Sequence, residues 1–490
     1  MKLFLSILGL TFLCQLTALA QTNFPLEEQN PWLANPTLDV ESYDLRLSVT
    51  SVAAPQLMAR LRIKLKTLKM LTSIKLHTDA QRLAIQSVTL NSTAVSFRTL
   101  SGVPGQYNLT GDVLEILPLT PVSPHLQQVL DIKYLLKVNQ PTATSAAVDE
   151  GFFYHADFNG TPVLSTRSWP YYTRTWMPSH DHPNDAAKFS VSATVPEEYQ
   201  LLSNGELVST KFTPQGIRYR WQINVAIPTY DMSVVIGKFT EHNRSICFNL
   251  SAASSDQTTD CAQATTKIPA TFYIPNNHPS TPQFLASFDK SNKSLVWFAN
   301  ILGEYEYPKS GIVVSPHPFS MEHAGLITLI NPRSAVHEVA HHWWGNTVHI
   351  AHWGDFWSSE GFTTYMDGLY EEYLTGSDTS CRQTTGVLNT TADTDPMTIF
   401  DSTAYCKGAA ALHGLRETIA ALVGLPVSDP QVRHFMYLTL RAIYREYRFK
   451  KLGTETLLAF IDAQLPALLN LEATMVQTAL QSWKAQWFAL

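Results

Sequence analysis

The stretch Val336-His337-Glu338-Val339-Ala340-His341-His342-Trp343-Trp344 decides how this chain is read. Apolar Val336, Val339 and Ala340, with two tryptophans following, mark a helix bound for the interior. Positions four apart share one helix face, so His337 and His341 can reach a single metal ion. Glu338, one position on from His337, points off that axis and can approach a water held at the ion. Zinc favours imidazole nitrogen and carboxylate oxygen, and hydrolytic sites keep one coordination position open. Chance alone puts this pattern into roughly 2% of chains of this length. The plainer alternative, a surface helix that carries the pattern by accident, conflicts with its apolar neighbours. Two histidines and a glutamate in a buried helix are costly unless something satisfies them.

Two imidazoles need a third protein ligand. Glu360 opens the next helical segment, Glu360-Gly361-Phe362-Thr363-Thr364-Tyr365, and Gly345-Asn346 and Gly354 offer the reversal between the two. Spacing alone allows that return without selecting it.

Outward from this centre the chain changes character. Beyond about Pro279 the apolar spacing is helical over 284–302, 336–344, 360–374 and 409–423. Gly453-Thr454 starts a further helix whose inner stripe is Leu457, Leu458, Ile461 and Leu465. Upstream the period is two. Tyr43, Leu45, Leu47 and Val49 alternate with Asp44, Arg46 and Ser48, and Leu61, Ile63 and Leu65 alternate with Arg62, Lys64 and Lys66. That alternation reads the basic residues as a solvated strand face. Strand-like runs, among them 189–195 and 230–239, continue to about Ile274. The expected class is α+β and multidomain, with a leader at 1–20, a β-rich domain at 21–276 and a mainly helical domain at 277–490.

Composition narrows the function. Hydrophobic residues make up 45% of the 490, which excludes a largely disordered chain. The net charge of −6, without a basic block, points away from nucleic acid as a partner. Beyond the N-terminus no apolar stretch reaches the ~18–20 residues of a membrane-spanning helix, so no stable membrane span is expected. No Gly-x-Ser-x-Gly, P-loop or Gly-x-Gly-x-x-Gly occurs, so serine-hydrolase and nucleotide-binding readings lack support. Met1-Lys2, an apolar run over 3–13 and Ala18-Leu19-Ala20 before Gln21 read as an export signal. A signal anchor is the other reading of that segment. Removing Cys14 with the leader leaves four cysteines, an even number suited to an oxidising, secreted or periplasmic setting. Three connectivities are possible, and the shortest loops pair Cys247 with Cys261 and Cys381 with Cys406.

The motif and its surroundings resemble a known family. His337-Glu338-x-x-His341 followed by Glu360, framed by Trp344-Gly345-Asn346 and Ser359-Glu360-Gly361-Phe362, closely resembles the gluzincin aminopeptidases, peptidase family M1. Other matches fall in family order. Tyr43-Asp44-Leu45, Arg174-x-Trp176-Met177-Pro178-x-x-Asp181-x-Pro183, Ser203-Asn204-Gly205 and Pro228-Thr229-Tyr230 resemble signatures of its N-terminal half. Met321-Glu322-His323 resembles the substrate-anchoring Met-Glu-Asn, Tyr405-x-Lys407-Gly408 the catalytic tyrosine segment, and Trp483-x-x-Gln486-Trp487 the close of the catalytic domain.

The resemblance implies a saddle-like N-terminal sheet followed by a thermolysin-like zinc catalytic domain. It implies one Zn²⁺ per chain on His337, His341 and Glu360, with Glu338 as general base and Tyr405 as hydrogen-bond donor to the oxyanion. Glu322, flanked by Met321 and His323, would bind the free amine of a peptide substrate. The implied activity is that of a zinc metallo-aminopeptidase. Rival readings on the same scaffold are a zinc endopeptidase or other zinc hydrolase, and a non-enzymatic peptide-binding relative. The last typically loses ligands or base, and this chain retains them.

Three departures from the family pattern stand out. Phe319-Ser320 replaces the usual glycines before the Met-Glu-Asn, so a reshaped or narrowed first subsite is expected. Trp169 stands where a Gln or Glu usually helps hold the substrate amine. The chain closes shortly after Trp487, so the expectation is a short form without the C-terminal helical domain, and a more open site. Among nearby residues, His342, His349 and His352 read as packing or loop groups, and Asp355 is a candidate to orient a ligand imidazole.

Overall fold

The computed structural model describes residues 35–488 except 103–110, 141–149, 252–253, 316–318, 378–380, 382–385, 393 and 400–402; the expected leader at 1–20 lies outside the described residues. Period-two patterning makes a two-faced sheet. In strand Gln56–Thr67 Leu61, Ile63 and Leu65 are buried while Arg60, Arg62 and Lys64 are exposed. Eight strands pair in the order 206–213, 216–228, 186–195, 38–48, 56–67, 127–137, 83–90, 93–94. Their apolar face shares one core with a four-stranded sheet ordered 200–203, 234–237, 162–167, 151–156, and Leu45, Ile132, Val191, Leu164 and Val235 meet there. Each such side chain stabilises the fold by about 1.5–3 kcal/mol when removed from water.

A third sheet joins strands Phe239–Phe248, Thr266–Pro275, Ser310–Val314 and Leu326–Leu329, the last two pairings parallel. Helix Thr281–Leu302 supplies the crossover that a parallel pair requires. This sheet straddles the expected boundary at 276/277. Ile246, Ile268 and Phe272 belong to the same core as Phe288, Trp343 and Phe362 of the helical part. The helices after it are Ala335–Ala340, Trp357–Thr375, Gly408–Val423, Pro430–Tyr447, Thr454–Leu469 and Ala473–Trp487.

Two expected elements differ. The helix expected over 336–344 stops at Ala340, because the His342 and Trp343 amides bond three residues back, to Val339 and Ala340, which tightens the chain into turns. The strand expected over 230–239 is divided. Tyr230 lies in a short turn, Thr229–Asp231, with its hydroxyl donating to the Gly345 carbonyl; strand Val234–Gly237 follows, and Phe239 begins the third sheet. Cys247 is bonded to Cys261 and Cys381 to Cys406, the shortest-loop pairing. Among the described residues no helix is long and apolar enough to cross a membrane.

Candidate metal centre

His341 ends the motif helix but keeps helical torsions, φ −57° and ψ −26°, so the four-residue spacing from His337 survives. The two Nε2 atoms stand 3.2 Å apart. Glu360 returns in the first turn of helix Trp357–Thr375 and places Oε2 3.2 Å from both. The return depends on Gly345, at φ +105°, where a Cβ would lie 2.4 Å from Ser359 Oγ.

The donor set fits a metal ion. Tetrahedral bonds of about 2.0–2.1 Å separate neighbouring ligand atoms by about 3.3 Å, close to each edge of this triangle. His341 Nδ1 lies 3.1 Å from the Trp344 carbonyl, 3.1 Å from Thr363 Oγ1 and 3.3 Å from Ser359 Oγ. Donation to the carbonyl leaves Nε2 with its lone pair facing His337 Nε2, an arrangement that calls for a cation between them. Burial pushes the Glu360 carboxyl up, but His341 and the hydrogen bonds with both imidazoles outweigh it and hold it below the usual range. Burial likewise opposes charge on His341, yet Glu360 and Glu322 carry it up to about 10. The pocket favours positive charge.

Three further groups surround the triangle. Burial pushes the Glu338 carboxyl up to about 8, against the pull of both imidazoles. Oxygens of Glu322 and Glu338 and a ring nitrogen of His341 lie within 4.8 Å of one another. Among the described residues this set and the His337–His341–Glu360 set are the groups able to hold an ion. Glu322 is held by Asn346, whose Nδ2 donates to its carbonyl at 2.7 Å, and by the pairing of Met321 with Thr328. Tyr405 arrives through a close helix contact, since a Cβ on Gly361 would lie 2.6 Å from the Gly408 Cα. Its ring stacks on His337 with centroids 5.9 Å apart. Burial, then Glu360, raises the phenol well above its ordinary value, so it remains an O–H donor.

A cleft of about 380 Å³ opens onto these groups, with Trp169, Phe319, Met321 and Ile330 as its apolar wall. Trp169 packs on Phe356 at 5.3 Å, and Phe319 lies under the Arg167 guanidinium at 5.4 Å. His323, expected to contact substrate, is instead fully buried outside the cleft lining, with Nδ1 3.1 Å from Thr328 Oγ1. His342 accepts from the Gly325 amide between Tyr305 and Tyr307. Asp355 meets His352 and accepts from Thr454 rather than orienting a ligand. The groups that do orient His341, Thr363 and Ser359, were not anticipated. Thr363 lies three residues after Glu360, on the same helix face, which was the available signal.

A donor set of two imidazoles and a carboxylate is of the kind that holds a divalent metal ion. Residues 39–230 match the model of the peptidase M1 N-terminal domain, and residues 332–436 match that of the peptidase family M1 domain. The two stretches together span more than half of the chain, and it belongs to peptidase family M1. The family implies zinc as the ion. Probable aminopeptidase 1 of Saccharolobus solfataricus is 24% identical over 72% of this chain and 44% of its own length. Glutamyl aminopeptidase of Rattus norvegicus is 26% identical over 55% of this chain and 31% of its own length. The chain thus spans under half the length of these curated relatives. An M1 zinc metallopeptidase from Deinococcus radiodurans, a mutant bound to a Tyr-Ser-Ala substrate, superposes with a TM-score of 0.71 at 21% identity, covering 93% of this chain and 96% of that one.

Proposed function

We propose that this chain is a zinc aminopeptidase that removes N-terminal residues from peptides, with one ion per chain on His337, His341 and Glu360. The observation that carries the reading is the convergence of Glu322, Glu338 and Tyr405 on the cleft beside the 3.2 Å triangle. The bound ion would supply Lewis-acid polarisation of the scissile carbonyl and a water acidic enough to lose a proton near neutral pH. Glu338 takes that proton and passes it to the departing amine. Tyr405 donates a hydrogen bond to the carbonyl oxygen as it gains charge. Glu322 pairs with the free ammonium of the substrate, and a blocked amine in its place leaves a buried carboxylate uncompensated. The aminopeptidase names of the curated relatives and the tripeptide in the Deinococcus radiodurans structure support this substrate class.

Export into an oxidising compartment belongs to the same proposal; the two disulfides and the leader-like segment at 1–20 support it. The test is hydrolysis of free and N-acetylated aminoacyl amides by zinc-loaded protein. Free amides should be cleaved and acetylated ones spared. Cleavage of the blocked substrates alone would favour an endopeptidase instead.

A further inference from the structure

The outward face of the eight-stranded sheet carries a concentration of cations that the catalytic reading leaves unused. We propose that this face is a groove that binds one extended, sulfated or carboxylated polysaccharide chain. The strand registers build it. Strands Leu38–Ser48 and Ala186–Val195 run side by side with Ser42 beside Lys188, Asp44 beside Ser190, Arg46 beside Ser192 and Ser48 beside Thr194, a floor of mostly small hydroxyl side chains. On one flank Arg62 and Lys64 stand opposite Asp44 and Ser42. On the other, Arg220 and Arg218 stand opposite Ser192 and Thr194. Two hollows of about 380 Å³ and 390 Å³ follow one another along this face and share Arg220, whose guanidinium reaches across the floor to Asp44 and Ser190.

The charge is in excess. Asp44 lies 3.9 Å from Arg46 and 3.4 Å from Arg220, while Asp131 lies 2.6 Å from Arg60 and 3.2 Å from Arg62. Each of these acids serves two arginines, so even the paired clusters remain cationic. Lys64, Lys188, Lys211 and Arg218 have no ion-pair partner among the described residues. The chain as a whole carries a net charge of −6, so attraction of a polyanion is local to this face.

Shape and chemistry select the occupant. The flanking strands are three spacings apart, about 14 Å, which admits a single extended chain and not a nucleic-acid duplex. Bases of a single strand need aromatic platforms. The aromatic residues along this trough, Tyr43 and Phe189, are buried toward the opposite face. Hydroxyls and guanidinium groups suit sulfate and carboxylate on a sugar backbone.

A heparin oligosaccharide is the probe, with binding followed by calorimetry at 50 and 300 mM NaCl. Wild-type protein should bind at low salt and weaken several-fold at high salt as screening grows. Lys64→Glu with Arg218→Glu should lose at least tenfold in affinity. Lys64→Gln with Arg218→Gln should lose less, in a protein of unchanged melting temperature. The control Lys267→Glu with Lys293→Glu carries the same change in charge elsewhere and should lose less than twofold. All variants should keep the wild-type peptidase rate. Absence of heparin binding, an equal loss in the control, or tighter binding of a single-stranded oligonucleotide or of phosphatidylserine vesicles would each overturn the proposal without touching the catalytic reading.

Discussion

Each half of the molecule buries a constellation of histidines and carboxylates, and the two differ in what they leave open. In the N-terminal half Arg174 and Asp181, both without exposed side-chain surface, pair at 3.1 Å, and the Asp181 amide donates to His77 Nδ1. His180 bonds Asp185 through Nδ1 and accepts from the Asn35 amide through Nε2. Its charged groups are paired within the cluster, with Arg174 Nε and Nη2 both donating to Asp181. In the catalytic half two Nε2 atoms and a carboxylate oxygen face one another across 3.2 Å, and the outer ring nitrogen of His341 is spoken for. Burial of histidine therefore says little by itself. Three ligand-type atoms converging on one point suit the second cluster to an ion, whereas the pairing of opposite charges, Arg174 with Asp181 and His180 with Asp185, suits the first to bracing.

That contrast can be broken by experiment. Glu338→Gln should lower kcat by about 10²–10⁴-fold while zinc content, read by atomic emission, stays at the wild-type level; full activity would remove the assigned base. Asp181→Ala should leave zinc content alone and instead cost about 3–5 kcal/mol in urea unfolding, because Arg174 is left buried and unpaired. A loss of metal with unchanged stability would reverse the assignment of the two clusters. Thr363→Val sharpens the point within the metal centre. It should weaken zinc affinity by about 10–100-fold in competition with a chelator, since it removes a partner of His341.

The smallest effect concerns acid. Burial, then Arg174, His180 and His182, holds the His77 imidazole well below its ordinary range. The unfolded imidazole takes a proton below about pH 6.5 while the folded one stays neutral, so stability present above that pH is lost as pH falls. The loss should begin near pH 6.5 and approach about 1.4 kcal/mol per pH unit by about pH 5, and His77→Gln should flatten that slope relative to wild type. An unchanged slope would show that His77 is charged in the fold.

Much of this arrangement is legible along the chain because its signals are local. The four-residue spacing of His337 and His341 is a property of one helical turn, and the alternation of Leu61, Ile63 and Leu65 with charges is a property of one strand. Both appear as expected. The length of the motif helix was not local. Its end at Ala340 depends on turn hydrogen bonds in the sharp return toward Glu360, and the division of 230–239 depends on which sheet each part joins. His323 followed the family pattern into the expected substrate contacts. Its place is set by Thr328 on a neighbouring strand, and spacing contains no trace of that.

The sequence by itself determined the ion-binding chemistry, the two periodicities that divide β from α structure, and the family. Each rests on residue type at short, fixed spacing, where covalent geometry leaves the chain little choice. Tertiary structure alone decided that Gly361 and Gly408 touch so that Tyr405 reaches His337, and that Thr363 rather than Asp355 steadies His341. It also decided that cations from separate strands line one trough. Such contacts join residues far apart along the chain, and they exist only when whole elements pack, because burial and pairing free energies are shared across the assembled core.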